Sequence, residues 1–81
     1  MVIKMNIEEK VIACAAETYE MDAKNINLDT NIREELSNQS LLMIAFISGI
    51  EESMGAVIDL RDAAKLFTIS DFAEKVKELL G

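Results

Sequence analysis

Hydrophobic residues recur at helical spacing in the first part of the chain. One stripe repeats every three or four residues, and it consists of Ile7, Val11, Ile12, Ala15, Ala16, Thr18 and Tyr19. Asn6 stands before the stripe with Glu9 three residues later, which is the spacing of a capping box. The pattern predicts a first helix that begins after Asn6 and fades near Met21.

A second helix is predicted from Ser40 to Met54, ended by Gly55 as its C-cap. Placed at 100° steps, the residues on its core side are Leu42, Met43, Phe46, Ile47, Ile50 and Met54. The opposite side consists of Ser40, Leu41, Ile44, Ser48, Glu51 and Glu52. Leu41 and Ile44 are therefore apolar residues on a side that should meet water, where they indicate either a partner-binding surface or ordinary single exposures.

The last helix is marked by Thr68 as N-cap and Asp71 three residues later. Its stripe consists of Ile69, Phe72, Ala73, Val76, Leu79 and Leu80. Before it, Val57 and Ile58 are interpreted as a buried connection, and the stretch "LRDAAKL" that follows as a short third helix.

The connection between the first two helices, residues 22–39, is polar. Its apolar residues are Ile26, Leu28, Ile32 and Leu36, and we expect all four to hold it against the core. The stretch "TNIREEL" predicts a short helical turn behind Thr30. The expected fold is all-α: one domain over residues 1–81, a small four-helix bundle with three main helices, a short third helix and a long loop between helices 1 and 2.

Charge and composition exclude several classes of function. The net charge is −7, so nucleic acid and anionic lipid are repelled and basic protein surfaces are attracted. The sequence has no histidine, which rules out His-based catalysis and His-bound metal, and it has no EF-hand or glycine-rich phosphate loop. Cys14 is interpreted as a packing residue. A self-contained enzyme is not expected.

The apolar run from Ser40 to Ile50 is too short to cross a bilayer, which takes roughly 20 residues. We therefore expect a soluble protein without membrane insertion. The single cysteine, which cannot form an internal disulfide, indicates a reducing and so cytoplasmic compartment. A monomer is expected. Ser40, at the start of the run, has two interpretations. Its hydroxyl can cap the helix, or it can carry a phosphate-linked group that meets the positive end of the helix dipole.

The chain resembles the acyl carrier protein family. In that family a Ser-Leu pair opens the second helix, as Ser40-Leu41 does here. The stretch "NIREELSNQSL" is similar to the family's loop ending in Leu-Gly-x-Asp-Ser-Leu, "IEESMGAVID" to the acidic end of the second helix, and "KLFTISDFAEKV" to the start of the last helix. These matches keep their order over about fifty residues.

The resemblance implies a mechanism. A separate phosphopantetheinyl transferase, using Mg²⁺, would move 4′-phosphopantetheine from coenzyme A onto Ser40. The thiol of that arm would then hold acyl groups as thioesters, for fatty-acid or specialised lipid or polyketide-type biosynthesis, with part of the acyl chain sheltered in the core. Synthases, ligases and acyl-transfer enzymes with basic patches would dock on Leu41, Ile44, Glu51 and Glu52.

The sequence departs from the family pattern near the serine. Gln39 stands where the family usually has Asp, Ser37 where it has Gly, and Leu42 and Ala45 where acids are frequent. A specialised pathway is therefore as compatible with the pattern as general fatty-acid synthesis, and an aminoacyl cargo stays open. The alternative function is a protein-interaction module of the same fold without the prosthetic group.

Overall fold

The computed structural model describes residues 5–81, so residues 1–4 of the expected 1–81 domain lie outside it. Its helices are α1 (Ile7–Thr18), α2 (Ser40–Met54), α3 (Leu60–Ala63) and α4 (Ile69–Leu80). A 3₁₀ turn, Ala23–Asn25, and a π-helical turn, Ile32–Leu36, lie in the long connection. Within this described part no strand occurs, and the predicted all-α architecture is confirmed.

Both predicted capping boxes are present. The amide of Glu9 donates to the Asn6 side chain over 2.8 Å, and the Asn6 amide donates to the Glu9 carboxylate over 3.1 Å. Thr68 and Asp71 make the same exchange at the start of α4. Each box satisfies backbone N–H groups that a helix leaves without intrahelical partners. The first helix ends at Thr18, a little earlier than predicted, because Glu20 takes a left-handed conformation with φ 54°.

The core is built from α1, α2 and α4. α1 packs against both of the other long helices, and the fully buried large side chains are Phe46, Phe72, Ile32, Ile50, Ile69, Val11 and Val76. Phe46 is central, since its ring lies edge-on to Phe72 at a centroid distance of 5.1 Å and to Tyr19 at 6.0 Å. Edge-to-face contacts of this kind add to the free energy gained by burial.

The long connection is held by backbone hydrogen bonds to the start of α4. The Ile32 amide donates to the Phe67 carbonyl over 2.8 Å, and the Ile69 amide donates back to the Thr30 carbonyl over 3.1 Å. A third bond runs from the Ser70 amide to the Leu28 carbonyl over 2.9 Å. These bonds fix the stretch that leads to Ser40 across a large sequence separation.

Two predictions of burial were wrong, and the end of the last helix is more exposed than its apolar stripe suggests. Leu28 is 40% exposed, although its backbone carbonyl accepts a hydrogen bond from the Ser70 amide of α4. Val57 is 64% exposed while its neighbours Ala56 and Ile58 are buried, since consecutive residues of an extended connection point to opposite sides. Leu79 and Leu80 are also exposed, because the last turn of α4 extends beyond the core.

The cap at Asp71 predicts a pH-dependent contribution to stability. Backbone N–H groups of Phe67 and Thr68 donate to its carboxylate and lower its pKa below the ordinary value of 3.8. Its contribution is therefore present above pH 3.8 and is lost as the pH falls through the lower folded pKa. We expect Asp71→Asn to reduce the free energy of unfolding by about 1 kcal/mol at pH 7, typical of a cap.

The measurement is urea unfolding of wild type and Asp71→Asn between pH 2 and pH 7. The difference between the two proteins should shrink as the pH drops below 3.8. Asp29→Asn, at an exposed loop position, is the control and should show no such trend. A difference at Asp71 that is independent of pH would contradict a role for the ionised carboxylate.

Candidate functional site

Ser40 is the first residue of α2, and its side chain is exposed. The N-cap is Gln39, in an extended conformation, so the interpretation of Ser40 itself as the cap was wrong. The chain turns into the helix one residue earlier than a capping serine requires, which places Ser40 inside the first turn. Its hydroxyl is therefore presented to solvent at the mouth of the helix.

The start of α2 is unusually bare of capping groups. Among residues 5–81, no side chain makes a cap hydrogen bond to it, and its first turn contains no acidic residue. The Ser37 hydroxyl accepts from the Gln39 amide over 3.2 Å, one residue before the helix. The free N–H groups of the first turn carry the positive end of the helix dipole, and an anion beside Ser40 would be stabilised by them.

A cleft of about 260 Å³ opens beside Ser40, between α2 and α3. Its lining consists of Arg33, Ser37, Asn38, Gln39, Ser40, Met43, Ile44, Leu60, Ala63 and Ala64. The walls provided by α2 and α3 are mostly apolar, and Met43 also packs against the core. The cleft can therefore accept an apolar group that is attached near Ser40.

Arg33 fixes one wall of this cleft. Its guanidinium donates to the Ala63 carbonyl over 2.7 Å and to the Leu66 carbonyl, and it lies over the Phe67 ring at 4.9 Å from the centroid. One side chain thus ties the loop before Ser40 to the end of α3. Arg33 could not be recognised from the sequence, because an isolated arginine in a polar loop gives no signal before its carbonyl partners are known.

The predicted apolar surface residues lie beside the serine. Leu41 is 78% exposed and Ile44 is 44% exposed. Leu60, on the α3 side of the cleft, is exposed as well, and so is Val57 in the connection between α2 and α3. Neither exposure was predicted from the sequence. Val57 was predicted to be buried. For Leu60, a four-residue helix is too short for a periodic pattern to show which side of the helix it occupies.

Glu51 and Glu52 lie at the far end of α2, and both are exposed. They are three turns from Ser40, about 16 to 18 Å along the axis at 1.5 Å per residue. Ser40, Ile44 and Glu51 project within about 40° of one another around that axis at 100° per residue. Ser40, Ile44 and Glu51 therefore lie along one side of α2, whereas Leu41 and Glu52 lie about 100° and 120° around the axis from Ser40. Both acids are well separated from the serine along the helix.

Three other features of the described residues bear on the chemistry. They hold no group of three or more His, Cys, Asp or Glu side chains that could bind a metal ion. Cys14 packs against the core as predicted, and burial raises the pKa of its thiol, which makes it a poor nucleophile at neutral pH. No helix in residues 5–81 is long and apolar enough to cross a membrane.

Comparison with known proteins identifies the family. Residues 9–76 match the family model described as a phosphopantetheine attachment site. A protein of Rickettsia canadensis named acyl carrier protein is 35% identical over 72 residues, which are 89% of this chain and 84% of that protein. One of the same name from Lactobacillus acidophilus is 29% identical over 75 residues, 93% of this chain and 94% of its own length. The chain thus belongs to the acyl carrier protein family, whose members carry phosphopantetheine.

Proposed function

We propose that Ser40 carries 4′-phosphopantetheine and that the chain presents acyl groups as thioesters to partner enzymes. The observation that carries the proposal is the position of Ser40, an exposed hydroxyl in the first turn of a helix that no side chain of residues 5–81 caps. The family match indicates which prosthetic group is carried, and the geometry supports this serine as its attachment point.

The attachment chemistry fits this site. In the transfer, the Ser40 oxygen bonds to the phosphorus next to pantetheine in coenzyme A. The phosphoanhydride bond breaks, adenosine 3′,5′-bisphosphate leaves, and the serine proton passes to a base of the transferase. The phosphodiester left on Ser40 is an anion at a helix N-terminus, where free N–H groups and the dipole stabilise it. The chain itself supplies no catalytic group for the step.

The surface around Ser40 supports docking of basic enzymes. Leu41, Ile44 and Leu60 offer apolar contacts near the attachment point, and Glu51 and Glu52 offer negative charge three turns away. Such an arrangement separates the two parts of recognition, since exposed acids steer encounter and apolar contacts hold the complex. We infer a cargo pathway of fatty-acid or specialised lipid or polyketide type.

Reversal of both acids should slow encounter with partners. We expect Glu51→Lys/Glu52→Lys to reduce the association rate with the transferase about ten-fold or more at low salt, because steering of this kind raises on-rates by at least that factor. Stopped-flow measurements from 20 to 500 mM NaCl should show wild type losing its advantage as salt screens the charges.

The matched control is Glu74→Lys/Glu78→Lys on α4, which changes net charge equally at exposed positions. It should keep most of the association rate. Equal slowing by both double variants would mean that net charge acts without a defined acidic docking surface.

The test of the attachment is intact mass of the wild-type chain after incubation with coenzyme A, Mg²⁺ and a broad-specificity phosphopantetheinyl transferase. We expect a gain of one phosphopantetheine group, and fragmentation should locate it on Ser40. No gain would oppose the proposal unless Gln39→Asp restored it, which would point to a transferase that reads Gln39. No gain in either chain would favour the interaction module that binds partners without the prosthetic group.

A further inference from the structure

Tyr19 carries a buried hydroxyl that the fold does not use. Its oxygen is shielded from solvent, and no group in residues 5–81 forms a hydrogen bond with it. The ring is held in the core by its edge-on contact with Phe46, at 6.0 Å and an interplanar angle of 65°. Buried hydroxyls are normally paired, because an unpaired one loses its hydration without compensation. A phenylalanine would fill the same space without that cost.

Two residues of α2, Met43 and Phe46, lie between the cleft beside Ser40 and the Tyr19 ring. Ser40, Met43 and Phe46 follow one another at three-residue steps along α2, over about 9 Å of its axis. Met43 lines the cleft and also packs on the core, and Phe46 contacts the Tyr19 ring. A methionine side chain adapts its shape readily. Tyr19 does not itself line the cleft, so cargo in the cleft reaches the hydroxyl only when the Met43 side chain moves aside.

Arg33 connects the same two places. Arg33 lines the cleft, and its positive charge favours the ionised form of the Tyr19 phenol and so lowers its pKa. Burial raises the pKa of Tyr19, and the Arg33 charge only partly opposes this, so the phenol is protonated at neutral pH. The Tyr19 hydroxyl can therefore donate a hydrogen bond. Arg33 itself is occupied by the carbonyls of Ala63 and Leu66.

We propose that the Tyr19 hydroxyl donates a hydrogen bond to an oxygen on the sheltered acyl chain, so that this carrier favours cargo with a keto or hydroxyl group over a fully saturated chain. The proposal rests on attachment at Ser40 and names the class of cargo. An apolar pocket alone accepts a saturated chain of the right size. A donor that is unpaired until cargo arrives forms a hydrogen bond with cargo that has an acceptor, which gains binding free energy. Saturated cargo forms no such bond.

The test compares three forms of the wild-type chain and of Tyr19→Phe. Each is loaded by the transferase from octanoyl-, 3-oxooctanoyl- or 3-hydroxyoctanoyl-coenzyme A, and its Tm is measured against the unloaded chain. In the wild type, we expect at least one oxygenated cargo to raise the Tm by about 4 °C or more beyond octanoyl, the size of shift that one hydrogen bond produces in a small domain. In Tyr19→Phe, that advantage should disappear while the octanoyl shift remains.

Tyr19→Phe should also have a higher Tm than wild type when unloaded, because the unpaired hydroxyl is removed. Equal shifts for all three cargoes in the wild type would overturn the proposal and mean that the hydroxyl pairs only with water. So would a preference for oxygenated cargo that survives in Tyr19→Phe. Failure of Ser40 attachment is a separate result, visible as an unchanged mass with every acyl donor, and it would overturn the proposed function together with this inference.

Discussion

Ser40→Ala is expected to abolish phosphopantetheine transfer completely while leaving the fold almost unchanged. The hydroxyl is the proposed nucleophile, and alanine offers no oxygen to bond with phosphorus. Because Gln39 rather than Ser40 is the N-cap, the substitution removes no cap hydrogen bond. Alanine is the better helix former inside the first turn, so the free energy of unfolding should change by no more than about 0.5 kcal/mol.

The matched control is Ser37→Ala, three residues before the helix. It removes the hydroxyl that accepts from the Gln39 amide, which should cost about 1 kcal/mol, yet it should leave transfer intact. Intact mass and thermal unfolding of both variants give the result. Transfer to Ser40→Ala would place the arm on another residue. A loss of about 1 kcal/mol in Ser40→Ala would instead indicate that the serine serves the helix as a cap.

Phe46→Ala is expected to lower the free energy of unfolding by about 3 to 5 kcal/mol, the usual cost of removing a buried aromatic ring. Phe46 is fully buried and contacts both Tyr19 and Phe72, so its removal leaves a cavity where α1, α2 and α4 meet. A domain of 81 residues has a total stability of roughly 4 to 12 kcal/mol. The variant should therefore lose a large share of its total stability and unfold at a markedly lower temperature.

Urea unfolding followed by far-UV circular dichroism measures this effect. Phe46→Leu keeps most of the volume and should cost less than about 1.5 kcal/mol. Leu80→Ala, at the exposed end of α4, is the control and should stay within about 0.5 kcal/mol of wild type. A small effect for Phe46→Ala would contradict the central position of that ring in the core.

The helices were predictable from sequence because their signals are local. Helix ends are marked by capping residues that act within a few positions of one another: Asn6 with Glu9, Thr68 with Asp71, and Gly55 at a positive φ of 74°. Prediction of the exposed Leu41 and Ile44 was equally local, since the angle between residues on one helix is fixed. The resemblance to acyl carrier proteins rested on the same ordered signals and was confirmed by the family match.

The cleft was not predictable, because it depends on contacts between distant residues. Arg33 becomes important only when the carbonyls of Ala63 and Leu66 are brought to it. The exposure of Val57 depends on which of two neighbouring apolar residues points inward, and the sequence gives both the same pattern. Of the two interpretations of Ser40, the one as the cap was wrong, because cap assignment depends on one backbone angle and Gln39 is not among the residue types preferred at that position.

The hydrogen bonds between the long connection and the start of α4 constrain the order in which this protein can fold. The Ile32 amide and the Phe67 carbonyl, 35 residues apart, must meet before the loop that presents Ser40 becomes ordered. Phe72 and Val76, which complete the core, follow later still in the chain. During synthesis, α1 and α2 therefore leave the ribosome before α4, the third long helix of the core. An ordered attachment site should form only after α4 has emerged, which places modification of the serine after translation of the last helix.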